Sequence, residues 1–249
     1  MRARGLIGGA QGPALLILLL IAYMPVLRAG FVWDDDDYVT ENQTLRSLAG
    51  LAQIWFEPGA VPQYYPAVHT TFWIEYQLWG LQPLGYHLVN VLLHGLSAIL
   101  LWRLLARLAI PVAFFAAAIF AVHPVMVESV AWITERKNCL SLAFLLGATI
   151  AAVSAFSLSE PEPRPIRWRD WAIASVLFLA ALLSKTVTAS FPAIVLVLIW
   201  WKRGRITRGE VLAALPWFAL GAAFGLFTAW MEHAHVGACL LYTSPSPRD

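Results

Sequence analysis

Four consecutive carboxylates, Asp34, Asp35, Asp36 and Asp37, directly follow the first hydrophobic segment of the chain. A carboxylate at the edge of a membrane can act as a general base that takes a proton from an attacking hydroxyl group. The same residues could hold a divalent cation, which prefers oxygen ligands, or form a solvated acidic turn without a chemical role. Their spacing alone leaves these three interpretations open.

A second group of ionisable residues follows the third hydrophobic segment, in the sequence HPVMVESVAWITERKN at 123–138. If this stretch continues as one helix, Glu128 and Glu135 lie two turns apart on a shared face, close to Arg136 and Lys137. An ionisable group near the membrane surface is a candidate functional residue. An interfacial ion pair between Glu128 and one of the two cations explains it equally well.

Two further polar features lie within apolar sequence. Lys185 is predicted at a tight turn at the depth of the lipid phosphates, where ordinary extension of a lysine towards headgroups is the alternative explanation. His87, Asn90 and His94 form one polar stripe on an otherwise apolar helix. Such a stripe must face protein or water, and hydrogen bonds between helices are favoured over metal binding.

Membrane helices must position these residues. Hydrophobic residues make up 59% and charged residues 13% of the 249-residue chain, which is too little polar surface for a soluble protein of this size. The net charge of +2 and the scattered basic residues exclude a nucleic-acid partner. The sequence predicts an all-α polytopic membrane protein with about seven spans of roughly 20 residues. These spans are 10–29, 86–105, 109–127, 140–158, 168–184, 186–201 and 211–230.

The charge distribution predicts the orientation. A cytoplasmic N-terminus places most Lys and Arg residues in cytoplasmic loops and most carboxylates outside, as the positive-inside rule requires. The first segment is interpreted as a span and not as a signal peptide, because Leu27-Arg28-Ala29 is a poor cleavage site. The long segment 30–85 then lies outside and has room for an active site. Short helices at 48–55 and 69–81 are expected along the membrane surface.

Two parts of the chain differ in composition. Residues 1–238 are predicted to be the N-terminal part of a membrane domain. Residues 239–249 (CLLYTSPSPRD) break this pattern and resemble the translation of a sequencing adapter. We therefore expect them to be an artefact and the natural protein to continue past residue 238.

Four segments together resemble one protein family. They are FVWDD after the first span, YHLVNVLLH in the second, FAVHPVMVESVAWITERKN after the third and SKT before the sixth. They are similar to the membrane part of the transmembrane and tetratricopeptide-repeat O-mannosyltransferases and their bacterial relatives, within the GT-C glycosyltransferase superfamily. The resemblance covers most of residues 1–238, and the His-Pro-x-x-x-Glu segment is its most specific part.

The resemblance implies an inverting glycosyltransferase that uses a polyprenyl-phosphate sugar as donor. It implies a catalytic acidic residue in the first outside loop, at Asp34 and Asp35, a second carboxylate at Glu128, and tetratricopeptide repeats after the membrane domain. It further implies a bacterial inner (plasma) membrane location with the active site on the outer face. Asp36 and Asp37 extend the family's acidic pair, which obscures which carboxylate acts.

The chemistry of such a transfer assigns roles to the residues. A Ser or Thr hydroxyl that attacks an anomeric carbon needs a base, here Asp35 or Asp34, whereas a departing phosphate is a stable anion and needs no general acid. Lys185 and Arg136 are predicted to stabilise that phosphate. The residues predicted to contact the sugar or position the loop are His87, Asn90, Tyr65 and His123.

The partners expected are a lipid-linked sugar donor, a hydroxyl-bearing acceptor, membrane lipids and no nucleic acid. The sugar is mannose or a related hexose, the acceptor is a protein, and a divalent cation at Asp34 to Asp37 stays open as the only cofactor. A transporter or flippase is the main alternative, since intramembrane polar residues also mark substrate pathways. A membrane anchor without catalytic activity is a third.

Overall fold

The computed structural model describes residues 10–160, 162, 164–231 and 233, and every regular element in them is a helix. The predicted artefact at 239–249 lies outside the described residues. The α-helices are α1 (Gln11–Tyr23), α2 (Leu48–Phe56), α3 (Pro66–Trp79), α4 (Pro83–Arg107), α5 (Ala113–Val122), α6 (Val127–Ala131), α7 (Arg136–Ala155), α8 (Trp168–Leu182), α9 (Phe191–Arg203) and α10 (Arg208–Met231). The predicted all-α polytopic membrane fold is confirmed, and the protein is an integral membrane protein.

The number of spans is lower than the sequence predicts. In the described part of the chain, five helical segments are long and apolar enough to cross a membrane, namely Gln11–Arg28, Pro83–Arg107, Arg136–Ala155, Thr186–Arg203 and Arg208–Met231. A sixth would be the pair Ala113–Val122 and Pro124–Ala131, which is bent by 53°. The fifth expected span, 168–184, forms only the 15-residue α8. At 1.5 Å per residue α8 is about 22 Å long, shorter than a hydrocarbon core of about 30 Å.

The bend after α5 has a local cause at His123 and Pro124. His123 is extended, with ψ of 130°, as expected for a residue that precedes proline. Its Nδ1 accepts a hydrogen bond from the backbone N–H of Val125 at 3.2 Å and caps the next short turn. A second break follows α6, where Trp132 is again extended. Residues 123–138 are therefore not one helix.

The long loop 30–82 is folded and helical in the two places expected. Ser47 caps α2 by accepting a hydrogen bond from the backbone of Gly50 at 3.0 Å. A side chain at Gly50 would meet the carbonyl oxygen of Thr44 at 2.1 Å, so only glycine allows α2 to pack this closely on the preceding turn. Helix α3 begins at Pro66, three residues before the predicted start, because proline suits the first helical position.

The two largest hydrophobic cores of the described residues lie within the helical bundle and between the bundle and the long loop. One core lies among α7, α8, α9 and α10 and contains Phe156, Phe178, Phe191 and Trp217. The other is formed by the long loop against α4 and α7. Its large buried members are Tyr38, Leu45, Ile54, Phe72, Tyr86 and Ile133. This second core seats the loop on one end of the bundle, which we call the loop face.

Candidate active site on the loop face

Asp35 is fully buried, and both of its carboxylate oxygens accept hydrogen bonds from protein donors. Its Oδ1 accepts hydrogen bonds from the backbone N–H of Thr134 at 2.9 Å and from the Thr134 hydroxyl at 2.6 Å. Its Oδ2 accepts one from the backbone of Val32 at 2.9 Å. Asp35 therefore ties the long loop to the turn between α6 and α7, and burial keeps its carboxylate away from solvent.

The other three carboxylates of the run are exposed. Asp36 accepts a hydrogen bond from the Thr40 hydroxyl at 2.8 Å. Burial raises the pKa of the Tyr38 phenol, and the negative charges of Asp34 and Asp37 add to the rise. Within the described residues no three His, Cys, Asp or Glu side chains converge as a metal site would require. The acidic run is thus split between one buried anchor and three side chains in water.

Arg136, the first residue of α7, is fully buried in an internal network. Its Nη1 lies 2.8 Å from a carboxylate oxygen of Glu75 and donates to the Thr71 hydroxyl at 3.1 Å. Its Nη2 donates to the carbonyl of Tyr86 at 2.9 Å, and its Nε donates to the side chain of Asn90. We call Glu75, Asn90 and Arg136 the arginine clamp. The phosphate-binding role predicted for Arg136 does not fit this position, because protein groups enclose the guanidinium and use its donors.

A group of charges at the start of α7 faces away from the clamp. The Nζ of Lys137 lies 3.0 Å from one carboxylate oxygen of Glu135, and the Nζ of Lys185 lies 4.0 Å from the other. Asn138 donates to Glu135 and accepts a hydrogen bond from Lys185 at 2.6 Å. We call these four residues the lysine cluster. Burial lowers the pKa of Lys185, the negative charge of Glu135 opposes that change, and Lys137 adds to it.

Gln63 links the lysine cluster to the long loop. Its Oε1 accepts hydrogen bonds from the phenol of Tyr38 at 2.8 Å and from Lys137 at 3.4 Å. His69 stacks on Tyr38 with ring centroids 5.2 Å apart, and its Nε2 lies 3.2 Å from the carbonyl oxygen of Gln63. Burial lowers the pKa of His69 to about 4, so this ring is neutral near pH 7. The Nζ of Lys137 also lies 5.5 Å from the centroid of the Tyr38 ring.

A small cleft opens beside this network, between the long loop and the end of α10. Its lining residues are Pro62, Gln63, Tyr64, Tyr65, Phe227, Thr228 and Met231. Gln63 connects the cleft to Lys137, and the hydroxyl of Thr228 lies 2.7 Å from that of Thr186, the residue after Lys185. The cleft therefore adjoins the lysine cluster through both of its walls.

Three predicted site residues have other surroundings than expected. Glu128 is exposed on α6, and the break at Trp132 means that it does not share a helical face with Glu135, so that prediction is wrong. Nor does Glu128 pair with either cation, since Arg136 pairs with Glu75 and Lys137 with Glu135. His123 is exposed and caps the turn described above. His87 is buried in α4, near Asp35.

The polar stripe of α4 makes the predicted hydrogen bonds between elements. Asn90 donates to the carbonyl of Trp132 at 3.0 Å, and the Nε2 of His94 lies 3.1 Å from the carbonyl of Ala121 on α5. This interpretation of Asn90 and His94 is confirmed. Tyr65, also predicted to position the loop, lies in the wall of the cleft.

The residues that complete the candidate site were not assigned roles from the sequence. They are Tyr38, Gln63, Glu75, Thr134, Glu135, Lys137 and Asn138. One signal for the last four was present, because the run Thr134 to Asn138 is strongly polar between two apolar helices. Gln63 and Glu75 carry no such signal, since their partners lie 61 to 74 residues further along the chain.

No protein-family model and no solved structure matches the chain. The protein O-mannosyl-transferase F38B6.6 of Caenorhabditis elegans is 32% identical over 164 residues, which cover 59% of this chain and 24% of that protein. The protein O-mannosyl-transferase Tmtc1 of Drosophila melanogaster is 32% identical over 180 residues, with coverage of 68% and 20%. The protein O-mannosyl-transferase Tmtc3 of Drosophila melanogaster is 31% identical over 184 residues, which cover 61% of this chain and 20% of that protein. The chain spans a quarter or less of the length of these relatives, and over that part it is a homologue of proteins named O-mannosyl-transferases.

Proposed function

We propose that this chain is the membrane part of an inverting glycosyltransferase. It transfers a hexose, mannose or a close relative, from a polyprenyl-phosphate donor to a hydroxyl group of a protein Ser or Thr. One observation supports the proposal, namely that two ammonium groups from distant segments, Lys137 and Lys185, meet around Glu135 beside the folded loop that carries the exposed carboxylate Asp34. The names of the homologues support the class of reaction.

Asp34 is the base in this proposal. The acceptor oxygen attacks the anomeric carbon, its proton passes to the Asp34 carboxylate, and the bond from that carbon to the phosphate oxygen breaks on the opposite face. Asp35 is less suited, because three protein hydrogen bonds hold its carboxylate. Asp35 instead stabilises the turn from Val32 to Asp35, which contains Asp34. Glu128 is given no role in this proposal, because it lies on α6, on the other side of the break at Trp132 from the lysine cluster.

Lys185 and Lys137 bind the phosphate in place of the Arg136 first predicted. They put positive charge where negative charge develops as the phosphate leaves. The Lys185 side chain is 27% exposed and that of Arg136 is not exposed at all, so only the lysine is within reach of a ligand. The adjoining cleft, with Tyr65 and Gln63 in its wall, accepts the phosphate end of the lipid.

The proposed orientation follows from the substrate and the charges. The loop face lies on the outer side of a bacterial inner membrane and the N-terminus lies in the cytoplasm, in agreement with the positive-inside distribution. A polyprenyl donor then reaches the site from within the bilayer. The helices would belong to a membrane core of the GT-C type.

The test is transfer of radiolabelled mannose from polyprenyl-phosphate mannose to protein, by the full-length protein in membrane vesicles. We expect Asp34→Asn to lower the rate by about 10²- to 10⁴-fold, the usual contribution of a general base, with unchanged expression and membrane insertion. Glu41→Gln, an exposed carboxylate of the same loop, is the matched control and should leave the rate unchanged. Unchanged transfer in Asp34→Asn removes the proposed base. Transfer from a nucleotide sugar instead of the polyprenyl-phosphate sugar would contradict the proposed donor. Movement of the lipid across the membrane without sugar transfer would contradict the whole proposal.

A further inference from the structure

Glu135 occupies an unusual position for a carboxylate in a site that binds an anion. It lies between two ammonium groups, 3.0 Å from Lys137 and 4.0 Å from Lys185. All three side chains are largely enclosed, with exposures of 11% for Lys137, 13% for Glu135 and 27% for Lys185. Charges that are partly removed from water interact more strongly than surface pairs.

We propose that Glu135 holds the place of a phosphate group in the ligand-free protein and competes with that group for Lys137 and Lys185. This inference rests on the proposed function and deepens it, since it names the residue that sets the affinity of the site for phosphate. The ligand is the phosphate of a polyprenyl lipid, as the sugar phosphodiester before transfer or as the phosphomonoester after it. Free inorganic phosphate shares the same chemistry.

The distance between Glu135 and Lys185 leaves the ammonium group of Lys185 available to a ligand. At 4.0 Å its ammonium is beyond hydrogen-bond distance from Glu135, and the side chain of Asn138 is its hydrogen-bond acceptor. A carboxylate that is close to Lys137 therefore does not satisfy both cations. A phosphate group has more oxygen atoms and a larger span, so it can accept charge-assisted hydrogen bonds from both.

The backbone at Glu135 allows its side chain to move alone. Glu135 precedes α7, and its N–H donates to the carbonyl of Trp132 at 3.2 Å while its carbonyl accepts from the N–H of Asn138 at 2.8 Å. Rotation about the side-chain bonds withdraws the carboxylate with loss of its hydrogen bond from Asn138 and its contact with Lys137, but without any change in the helix. Repulsion between Glu135 and an arriving phosphate drives this rotation, and return of the carboxylate expels the phosphate product.

The experiment measures binding to the full-length protein in lipid nanodiscs at pH 7, with undecaprenyl phosphate, undecaprenol and inorganic phosphate as ligands. We expect Glu135→Gln to bind undecaprenyl phosphate about tenfold more tightly than the wild type, because the competing charge is gone while the amide keeps the shape. Tighter binding of inorganic phosphate as well assigns the effect to the phosphate group alone, and tighter binding of only the lipid assigns it to the lipid-linked form. Both results support the proposal.

Two variants exclude a general change in the protein. Glu41→Gln should bind all three ligands as the wild type does. The gain from Glu135→Gln should disappear in a Lys185→Met background, because it acts through that ammonium group. Unchanged or weaker binding of undecaprenyl phosphate by Glu135→Gln overturns the inference, as does an equal gain for undecaprenol, which has no phosphate.

Kinetics separate this inference from the proposed function. With Glu135→Gln we expect a lower KM for the donor together with a lower kcat, because product release becomes slower. If the wild type transfers the sugar and Glu135→Gln leaves both constants and the affinity unchanged, only the inference is wrong. If the wild type transfers no sugar, the proposed function is wrong whatever the binding data show.

Discussion

Arg136 and Lys137 are adjacent, largely buried cations that differ in their partners. The Arg136 side chain has no exposed surface and is bound by Glu75, Asn90 and the Tyr86 carbonyl. Lys137 lies with Lys185 around a single carboxylate, next to a cleft. Protein groups use all three nitrogen atoms of Arg136, and this difference in partners, not charge or sequence position, separates it from the two lysines as a ligand-binding cation.

The start of α7 produces this difference. Successive residues of an α-helix point about 100° apart around its axis. Arg136 consequently faces α3 and α4, whereas Lys137 faces Gln63 of the long loop. One helical step separates a structural ion pair from a candidate binding site.

The largest expected effect is on the arginine clamp. Arg136→Met should lower the free energy of unfolding by about 3–5 kcal/mol, because removal of one partner leaves the other buried without compensation. The measurement is SDS-induced unfolding in mixed micelles. The double variant Arg136→Met with Glu75→Met should recover most of the loss, since a matched apolar pair replaces the ion pair. A single variant of normal stability with weaker phosphate binding would contradict the comparison.

A smaller effect is expected at the anchor of the long loop. Thr134→Val keeps the shape of the side chain but removes the hydroxyl that donates to Asp35 at 2.6 Å. Hydrogen bonds to charged groups contribute about 1.5–3 kcal/mol, so we expect a loss near the middle of that range in the same unfolding assay. Thr134→Ser, which retains the hydroxyl, is the matched control. Normal stability with abolished sugar transfer in Thr134→Val would assign this threonine to the chemistry instead.

Substitution of Lys185 is expected to have the smallest effect on stability. It should nevertheless have a clear effect on activity. Its partly exposed contacts should contribute at most about 1 kcal/mol to folding. Lys185→Gln should nevertheless raise the KM for the polyprenyl-phosphate donor about tenfold, which corresponds to about 1.4 kcal/mol of lost binding. Steady-state transfer assays measure this change. Lys202→Gln, a lysine that donates to the Leu108 carbonyl elsewhere, serves as the control, and an unaltered KM in Lys185→Gln would remove the phosphate role.

The helical membrane fold was predictable because the bilayer requires long apolar helices, and most of the expected spans correspond to observed helices. The lengths of the individual helices were less predictable. Helix α8 ends at Leu182, where the chain turns towards Lys185 and pairs it with residues of α7. The sequence 123–138 looks like one amphipathic helix, but the proline at 124 and the extended residue 132 divide it.

The site was predictable only in part, because its pairings are not local. Four identical carboxylates in a row do not reveal that Asp35 alone is buried, since its partner Thr134 lies 99 residues away. Arg136 looks as suitable for a phosphate as Lys137 until Glu75, 61 residues earlier, is placed against it. Lys185 and Asp34 were recognisable as candidates from their position beside apolar helices, but the residues that surround each of them were not.

The bond between Asp35 and Thr134 also has a consequence for biosynthesis. At a translation rate of about 5–20 residues per second, the ribosome needs roughly 5–20 s to make the 99 residues that separate them. During that interval the carboxylate of Asp35 lacks both of its donors from Thr134 and has only the backbone N–H of Val32 within its own loop. The anchoring of the first loop must therefore wait until the turn that precedes α7 has been made.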